Sequence, residues 1–473
     1  MAASSEPNRL KSNAIGLPQA MVMSIATMAP VAAIFFNTIP ASGVAGITMP
    51  LSFLLSLVAM LLIANAVTAF SREISSAGSF YAYVSHGLGT SAGFFMGWVF
   101  ILFYAIVAPF IFSIFGVTVA TVVQANFGVA IPWPVFYLLG AAVVFALSYF
   151  GIRQSLNVDL TFLFYEIGIV VLLALTIVFK MGGHFFTVQP FIPSNAPHGF
   201  SGVFFGMIFG ILSFIGFEAA ATLGEETRDP KRAIPRAVFG AVLLIGIFYV
   251  VMAYVATVGY GLGNIAKFAT DANPFHTIAT NFWGPHLSVF VDLAGIIGLF
   301  ACALAGNNAA IRVLYSMGRD GFIWKRMGET HHHLLTPTNA IYVSSAFTLI
   351  IGLGLSAWLG PINAYGFLGI LAVLVAVVAY ALVNLALIVF MLKQRRQHFR
   401  VLPHLVVPIL GIMILILPVY GVLVPFPPFP FDIPLFIAIV WSIIGLLALW
   451  YLKGKRPDAI AKAGRTMVTT ESE

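Results

Sequence analysis

Ser213-Phe214-Ile215-Gly216-Phe217-Glu218 places a carboxylate in the middle of a hydrophobic run long enough to cross a membrane. The stretch begins near Phe209 as an apolar helix and weakens at Gly216. It continues through Ala219-Ala220-Ala221 to a charged collar, Glu225-Glu226-Thr227-Arg228-Asp229-Pro230, then Pro235-Arg236. A carboxylate at the bilayer centre costs roughly 2.5–3.5 kcal/mol even on insertion scales, so Glu218 is expected to face a cavity or a partner. Such a helix is poorly suited to passive anchoring and well suited to holding a solute.

The surrounding composition agrees with a membrane setting. The chain of 473 residues is 60% hydrophobic and 8% charged, against roughly 25% charged in a soluble domain. Mean hydropathy is +1.01. Met1 to Asn13 is polar and lacks the pattern of a cleaved signal peptide. Cys302 is the single cysteine, which excludes an intramolecular disulfide and cysteine-based metal clusters. The net charge of +7 requires no nucleic-acid partner, because loops on the inner side of a membrane are enriched in Lys and Arg.

A spanning helix needs about 20 mostly apolar residues, and twelve such runs are read at 16–40, 43–70, 92–123, 133–150, 157–180, 199–224, 235–260, 287–316, 338–358, 364–392, 402–424 and 431–452. With the N-terminus inside, all but Lys180 and Lys267 of the 23 basic residues fall on inner segments. This predicts a multi-pass protein of the plasma or inner cell membrane with both termini cytoplasmic.

Two runs are interrupted. In the first, Ser24-Ile25-Ala26-Thr27-Met28-Ala29-Pro30 brings a proline to bilayer depth, where it removes a backbone donor and clashes with the preceding turn. In the sixth, Gly216 precedes Phe217 and Glu218. The two runs correspond if helices 1–5 and 6–10 are halves of opposite orientation, and paired interruptions of that kind point to a midplane substrate site. Two kinks in an ordinary bundle are the plainer alternative.

Three further stretches carry a resemblance. They are Gly78-Ser79-Phe80-Tyr81-Ala82-Tyr83-Val84 with Gly87-Leu88-Gly89 and Gly97-Trp98, then Gly216-Phe217-Glu218 with Glu225-Glu226 and Asp229-Pro230-Lys231-Arg232, and last Asn308 and Arg312 with Tyr315, Arg319-Asp320-Gly321 and Thr336-Pro337. In this order the chain resembles the amino acid–polyamine–organocation superfamily, specifically bacterial-type amino acid permeases. The resemblance implies an all-α polytopic fold of 12 transmembrane helices, with two inverted five-helix repeats, broken helices 1 and 6, and helices 11 and 12 peripheral. The expected organisation is a tail at 1–15, repeats at 16–180 and 199–392, helices 11–12 at 402–452 and a tail at 453–473.

It further implies a secondary active transporter of amino acids or related amines working by alternating access, with no cofactor and no enzymatic chemistry. A polyamine or organic-cation carrier, an exchanger, and a transporter-like nutrient sensor or channel stand as alternatives. The family's α-carboxylate sits on amides of the broken first helix, which maps onto Ala26, Thr27, Met28 and Ala29, where Ala-Thr-Met-Ala-Pro replaces the usual Gly-Ser-Gly. Gly216, Phe217 and Glu218 are the corresponding expectations on helix 6. The family aromatic that closes over substrate aligns with Leu212, so Phe209 or Phe214 is expected to substitute, with Tyr104 as a further cavity residue.

Glu166 lies ten residues into the fifth run, about 14 Å along a helix rising 1.5 Å per residue. Many family members carry a lysine there in place of a sodium ion. A glutamate that can alternate between charged and neutral makes Glu166, with Glu218, a candidate for proton coupling. A neutral acid bonded to a neighbouring helix, or help in binding a cation, remains open. Asp159 reads as structural, Asp292 as an outer vestibule residue, and Asn307 and Asn308 as interhelical bonds. Glu225, Glu226, Arg319 and Asp320 are expected to form a cytoplasmic gate, the alternative being a solvated loop. His331-His332-His333 has no further ligands nearby in sequence and is not read as a metal site.

Overall fold

The computed structural model describes residues 13–455 apart from Ala77, His198, Ala272, His332, His333, Val424, Pro425 and Pro427. The two tails beyond Asn13 and Lys455, with Arg9, Lys11, Arg456, Lys462 and Arg465, lie outside the described residues, as do two members of the histidine run.

The described chain is helical, with no strand beyond an isolated bridge between Ile15 and Thr227. The first run is α1 (Leu17–Met28) and α2 (Pro30–Ala45), followed after the turn at Gly46 by α3 (Met49–Glu73). Then come α4 (Phe80–Leu88), α5 (Thr90–Ala105), α6 (Val107–Phe127), α7 (Trp133–Phe150) and α8 (Ile152–Met181). The second part holds α9 (Phe200–Ser213), a tight 3-10 segment Phe217–Leu223, α10 (Pro230–Tyr260), the single turn α11 (Ile265–Phe268), α12 (Pro274–Trp283) and α13 (Ser288–Arg319). It closes with α14 (Thr338–Phe347), α15 (Leu353–Leu359), α16 (Pro361–Lys393), α17 (Val407–Ile414), α18 (Ile416–Leu423) and α19 (Ile433–Lys455).

Ten stretches among the described residues are long and apolar enough to cross a membrane. Twelve were expected. The first of the ten, Leu17–Glu73, has 57 residues, about 85 Å of helix against a hydrocarbon core of about 30 Å. The helix around Leu402–Ile414 is shorter than a full span. The expected single run 92–123 is two helices that meet at Ile106, and the stretch read as a plain outer loop contains α12, packed on α13, α10 and α8.

One contiguous apolar core ties these helices together. The broken segments sit inside it: α1 packs against α10, α13, α8 and the 3-10 segment, and α2 packs against α9. The last helix is clasped to α5 by a reciprocal pair, Trp98 Nε1 donating to Trp441 O and Trp441 Nε1 to Trp98 O, each at 2.9 Å. Their rings stack at 4.5 Å.

Candidate substrate site

The first break is made by two neighbouring residues. Ala29 adopts a left-handed conformation, φ 47° and ψ 67°, which is uncommon for a residue with a Cβ, and Pro30 then starts α2 with no N–H of its own. A helix that stops at bilayer depth leaves carbonyls without intrahelical partners, and side chains from other helices meet them. Cys302 Sγ donates to Thr27 O at 3.2 Å. The Tyr249 hydroxyl lies 2.8 Å from Met28 O and 2.8 Å from Ser213 O, so one side chain touches both breaks.

The second break follows the same logic. Gly216 sits at φ 97°, and a Cβ there would collide with Thr27. Only glycine allows this turn and this approach together. Ser24 on α1 donates its hydroxyl to Phe217 O and accepts from Ala220 N at 3.1 Å. The backbone polarity freed in the 3-10 segment is thus satisfied by one serine.

Between the amino end of α2 and the carboxyl end of α9 lies a cavity of about 50 Å³. Thr27, Met28 and Ala29 line it from the first break, and Leu212, Ser213 and Ile215 from the second. Phe110 and Tyr365, stacked at 4.3 Å with an interplanar angle of 13°, form its aromatic wall. Asn37 Nδ2, also in the lining, donates to Ser213 Oγ at 2.9 Å. Among the described residues that line it there is no Asp, Glu, Lys, Arg or His. A helix N-terminus favours an anion and a C-terminus a cation, so the two ends can meet the two charges of a zwitterion.

Several expected residues lie elsewhere. Ala26 is buried in α1 and does not reach the lining. Phe214 is buried edge-on against Tyr249, ring centroids 5.1 Å apart, and Phe209 packs half-buried in the core, so neither supplies the aromatic wall. Glu218 is fully buried but off the cavity: Tyr104 donates to Oε1 at 2.9 Å and Tyr380 to Oε2 at 3.1 Å. Phe217 packs on Tyr380. Gly216, Phe217, Glu218 and Tyr104 therefore form a layer beside the cavity rather than its surface. Tyr249, Tyr365, Tyr380 and Phe110 escaped the sequence reading, because aromatic residues in apolar helices carry no local mark.

Glu166 is fully buried on α8, and among the described residues neither carboxylate oxygen has a hydrogen-bond partner. Its Oε2 lies against Gly298 on α13, where an added Cβ would strike it, and that same point is beside the Ala32 amide in the first turn of α2. Asp159, two turns earlier on the same face of α8, is also fully buried and without a hydrogen-bond partner among the described residues. Asp292 accepts from Asn273 Nδ2 at 2.9 Å and pairs with His276 of α12 at 2.9 Å. Asn307 and Asn308 bond to Ser148, and Asn307 also to Ser344, which joins α13 to α7 and α14.

The collar is paired in depth. Arg319 makes two bonds to Glu225, at 2.8 and 2.9 Å. Arg312, 4% exposed, pairs with Glu226 at 3.1 Å. Tyr81 donates to Asp320. Asp229 and Arg232 pair with one another at 3.7 Å on the exposed rim. The chain ahead of α1 joins the collar through its backbone, Ile15 N donating to Glu226 O and Arg228 N to Ile15 O.

A family model described as amino acid permease matches residues 19–462. The chain belongs to the amino acid permease family. Among relatives of this permease, the branched-chain amino acid permease BcaP of Bacillus subtilis is 25% identical over 376 residues, 76% of this chain and 77% of that one. The aromatic amino acid permease FywP of Lactococcus lactis is 37% identical over 176 residues, covering 37% of this chain and 38% of the relative. The low-affinity putrescine importer PlaP of Escherichia coli is 25% identical over 405 residues, 83% of this chain and 84% of that one. The permease also matches the solved structure of a mutant Eremococcus coleocola manganese transporter, with a TM-score of 0.56 and 13% identity over 98% of this chain, a likeness of fold alone. It is a membrane-embedded transporter.

Proposed function

We propose that this permease carries neutral amino acids with apolar side chains across the cell membrane by alternating access, coupled to protons. The observation that carries this reading is the lining between the two breaks, mostly apolar and, among the described residues, free of charged side chains. Once the two breaks separate and widen the cavity beyond its present volume of about 50 Å³, an α-carboxylate would lie at the amino end of α2 near Ala29, and the α-ammonium at the carboxyl end of α9 near Leu212 and Ser213. Leu212, Ile215, Phe110 and Tyr365 would contact the side chain. Relatives named for branched-chain and aromatic amino acids support this choice.

The polyamine reading has one observation in its favour, the similarity to a putrescine importer. Against it, a diamine has no α-carboxylate and would meet no acid in this lining, while Glu218 already accepts from Tyr104 and Tyr380. A thermal-shift series of the purified protein with leucine, phenylalanine and putrescine decides between them, since stabilisation follows ligand concentration over its dissociation constant. Leucine or phenylalanine should raise the midpoint. Stabilisation by putrescine alone would overturn the assignment.

Coupling is assigned to Glu166, whose Oε2 lies against Gly298 at a point that also adjoins the Ala32 amide of α2, close to the proposed moving break. In proteoliposomes Glu166→Gln should bind leucine and lose the pH dependence of uptake. The Glu225–Arg319 and Glu226–Arg312 pairs would form the inner gate. Both termini are assigned to the cytoplasm, with the two repeats at 16–180 and 199–392.

A further inference from the structure

We infer that Asp159 is the second station of a proton path that runs along α8 from Glu166 toward the cytoplasmic face. The inference rests on the proposed role of Glu166. The two acids are seven residues apart, which is two helical turns on one face and about 10 Å along the axis. Both side chains are fully buried, and among the described residues no donor reaches any of their four oxygens. Burying one such carboxylate without a partner is costly, and burying two on one helix face is unexpected for a purely structural purpose. The structural acids of this molecule look different: Glu218, Glu225, Glu226 and Asp292 all have partners.

The surroundings favour a proton over a metal ion. Among the described residues no three His, Cys, Asp or Glu side chains come together as a metal set. The nearby carbonyls of Thr27 and Met28 each have a protein donor beside them, Cys302 Sγ and the Tyr249 hydroxyl. The titratable groups facing the pair from neighbouring helices are the Cys302 thiol of α13 and the Tyr249 hydroxyl of α10. Helices α1 and α2 contribute none. On α7 the inward-facing Tyr137 donates to Thr348 O, and His276 of α12 is engaged with Asp292. No ion pair holds either acid among the described residues.

The step is a proton exchange between two carboxyl groups. The Glu166 acid gives up its O–H proton through intervening water and is left a carboxylate. The Asp159 carboxylate takes that proton and becomes the neutral acid. Asp159 then releases it to water on the cytoplasmic side and is a carboxylate again, while Glu166 regains its neutral form only when it takes the next proton from the outer side. Glu166 would take up the proton when the outside is open, and Asp159 would let it leave without reopening that path.

The test uses the full chain in proteoliposomes, with leucine as the probe, in two assays. One is leucine exchange at equal pH on both sides, which needs no net proton movement. The other is net leucine uptake driven by an inward proton gradient. Asp159→Asn is expected to exchange within twofold of wild type, to lose at least tenfold in net uptake and to show a flattened pH profile, with Asp159→Glu restoring most of it. Wild-type net uptake and pH profile in Asp159→Asn would overturn the inference. So would a parallel loss of exchange and net uptake that Asp159→Glu does not rescue, which would mark a packing role. If Glu166→Gln keeps its pH dependence, the coupling role of Glu166 fails and this inference falls with it. Flattening in Glu166→Gln with an unaffected Asp159→Asn removes only Asp159.

Discussion

Glu166 and Gly298 face one another so closely that a Cβ added to the glycine would lie 2.2 Å from Oε2 and displace the carboxylate. Gly298→Ala would push Oε2 away from the first turn of α2. Uptake in this variant should show a weakened pH dependence resembling that of Glu166→Gln. The shorter acid in Gly298→Ala/Glu166→Asp should recover part of it, and the two changes should be non-additive, as neighbours in contact are. Additive effects in uptake measured from pH 5 to 8 would refute the link.

Tyr249 is expected to matter for stability more than its place in an apolar helix indicates. Its hydroxyl meets Met28 O and Ser213 O, and Tyr249→Phe removes the one O–H that these two buried carbonyls share. The cost is about 1–3 kcal/mol, to be read as a lower melting midpoint, with leucine affinity weakened because both breaks loosen. An unchanged midpoint would show that the carbonyls find other donors.

For Glu218 the structure and the first expectation part company, and a measurement separates them. Because this acid lies off the cavity, Glu218→Gln should bind leucine within about threefold of wild type. Tyr104→Phe and Tyr380→Phe each remove a donor to a buried carboxylate and should destabilise by about 1–3 kcal/mol. A hundredfold loss of leucine binding in Glu218→Gln would place the acid on the substrate after all.

The collar can be tested with the protein's own thiol. Cys302 is the single cysteine, lies 3% exposed in the cavity lining and can report access to it. Glu225→Ala breaks the two bonds to Arg319 and should speed alkylation of Cys302 by a small membrane-permeant maleimide several-fold. Glu226→Ala strands the buried Arg312 and should also lower stability, by about 3–5 kcal/mol. Saturating leucine should slow the labelling. Equal labelling rates with and without the collar pairs would exclude a gate.

How much was legible in the sequence follows from how local each signal is. Pro30 and Gly216 announce their breaks because each alters the backbone at its own position. The membrane fold follows from apolar run lengths in the same way. The partners of those breaks are not local: Tyr249, Cys302 and Tyr380 come from α10, α13 and α16, and only packing brings them to the freed carbonyls and to Glu218. The aromatic wall was sought on helix 6 at Phe209 and Phe214, but Phe214 turns toward Tyr249, and Phe110 and Tyr365 supply the rings. The collar's acids were evident from charge, whereas the pairing of Glu226 with Arg312 required the depth of α13.

The serine that satisfies Phe217 O and Ala220 N belongs to α1, and its partners are 193 and 196 residues later. Until translation passes residue 220, Ser24, Thr27 and Met28 have none of their final bonding partners on helices 6 to 8. A nascent chain halted before that point carries an unfinished break within the bilayer, open to capture by an insertase or a quality-control protease. Truncations that end before Phe217, between Ala220 and Tyr249, and beyond Cys302 should therefore differ stepwise in lifetime.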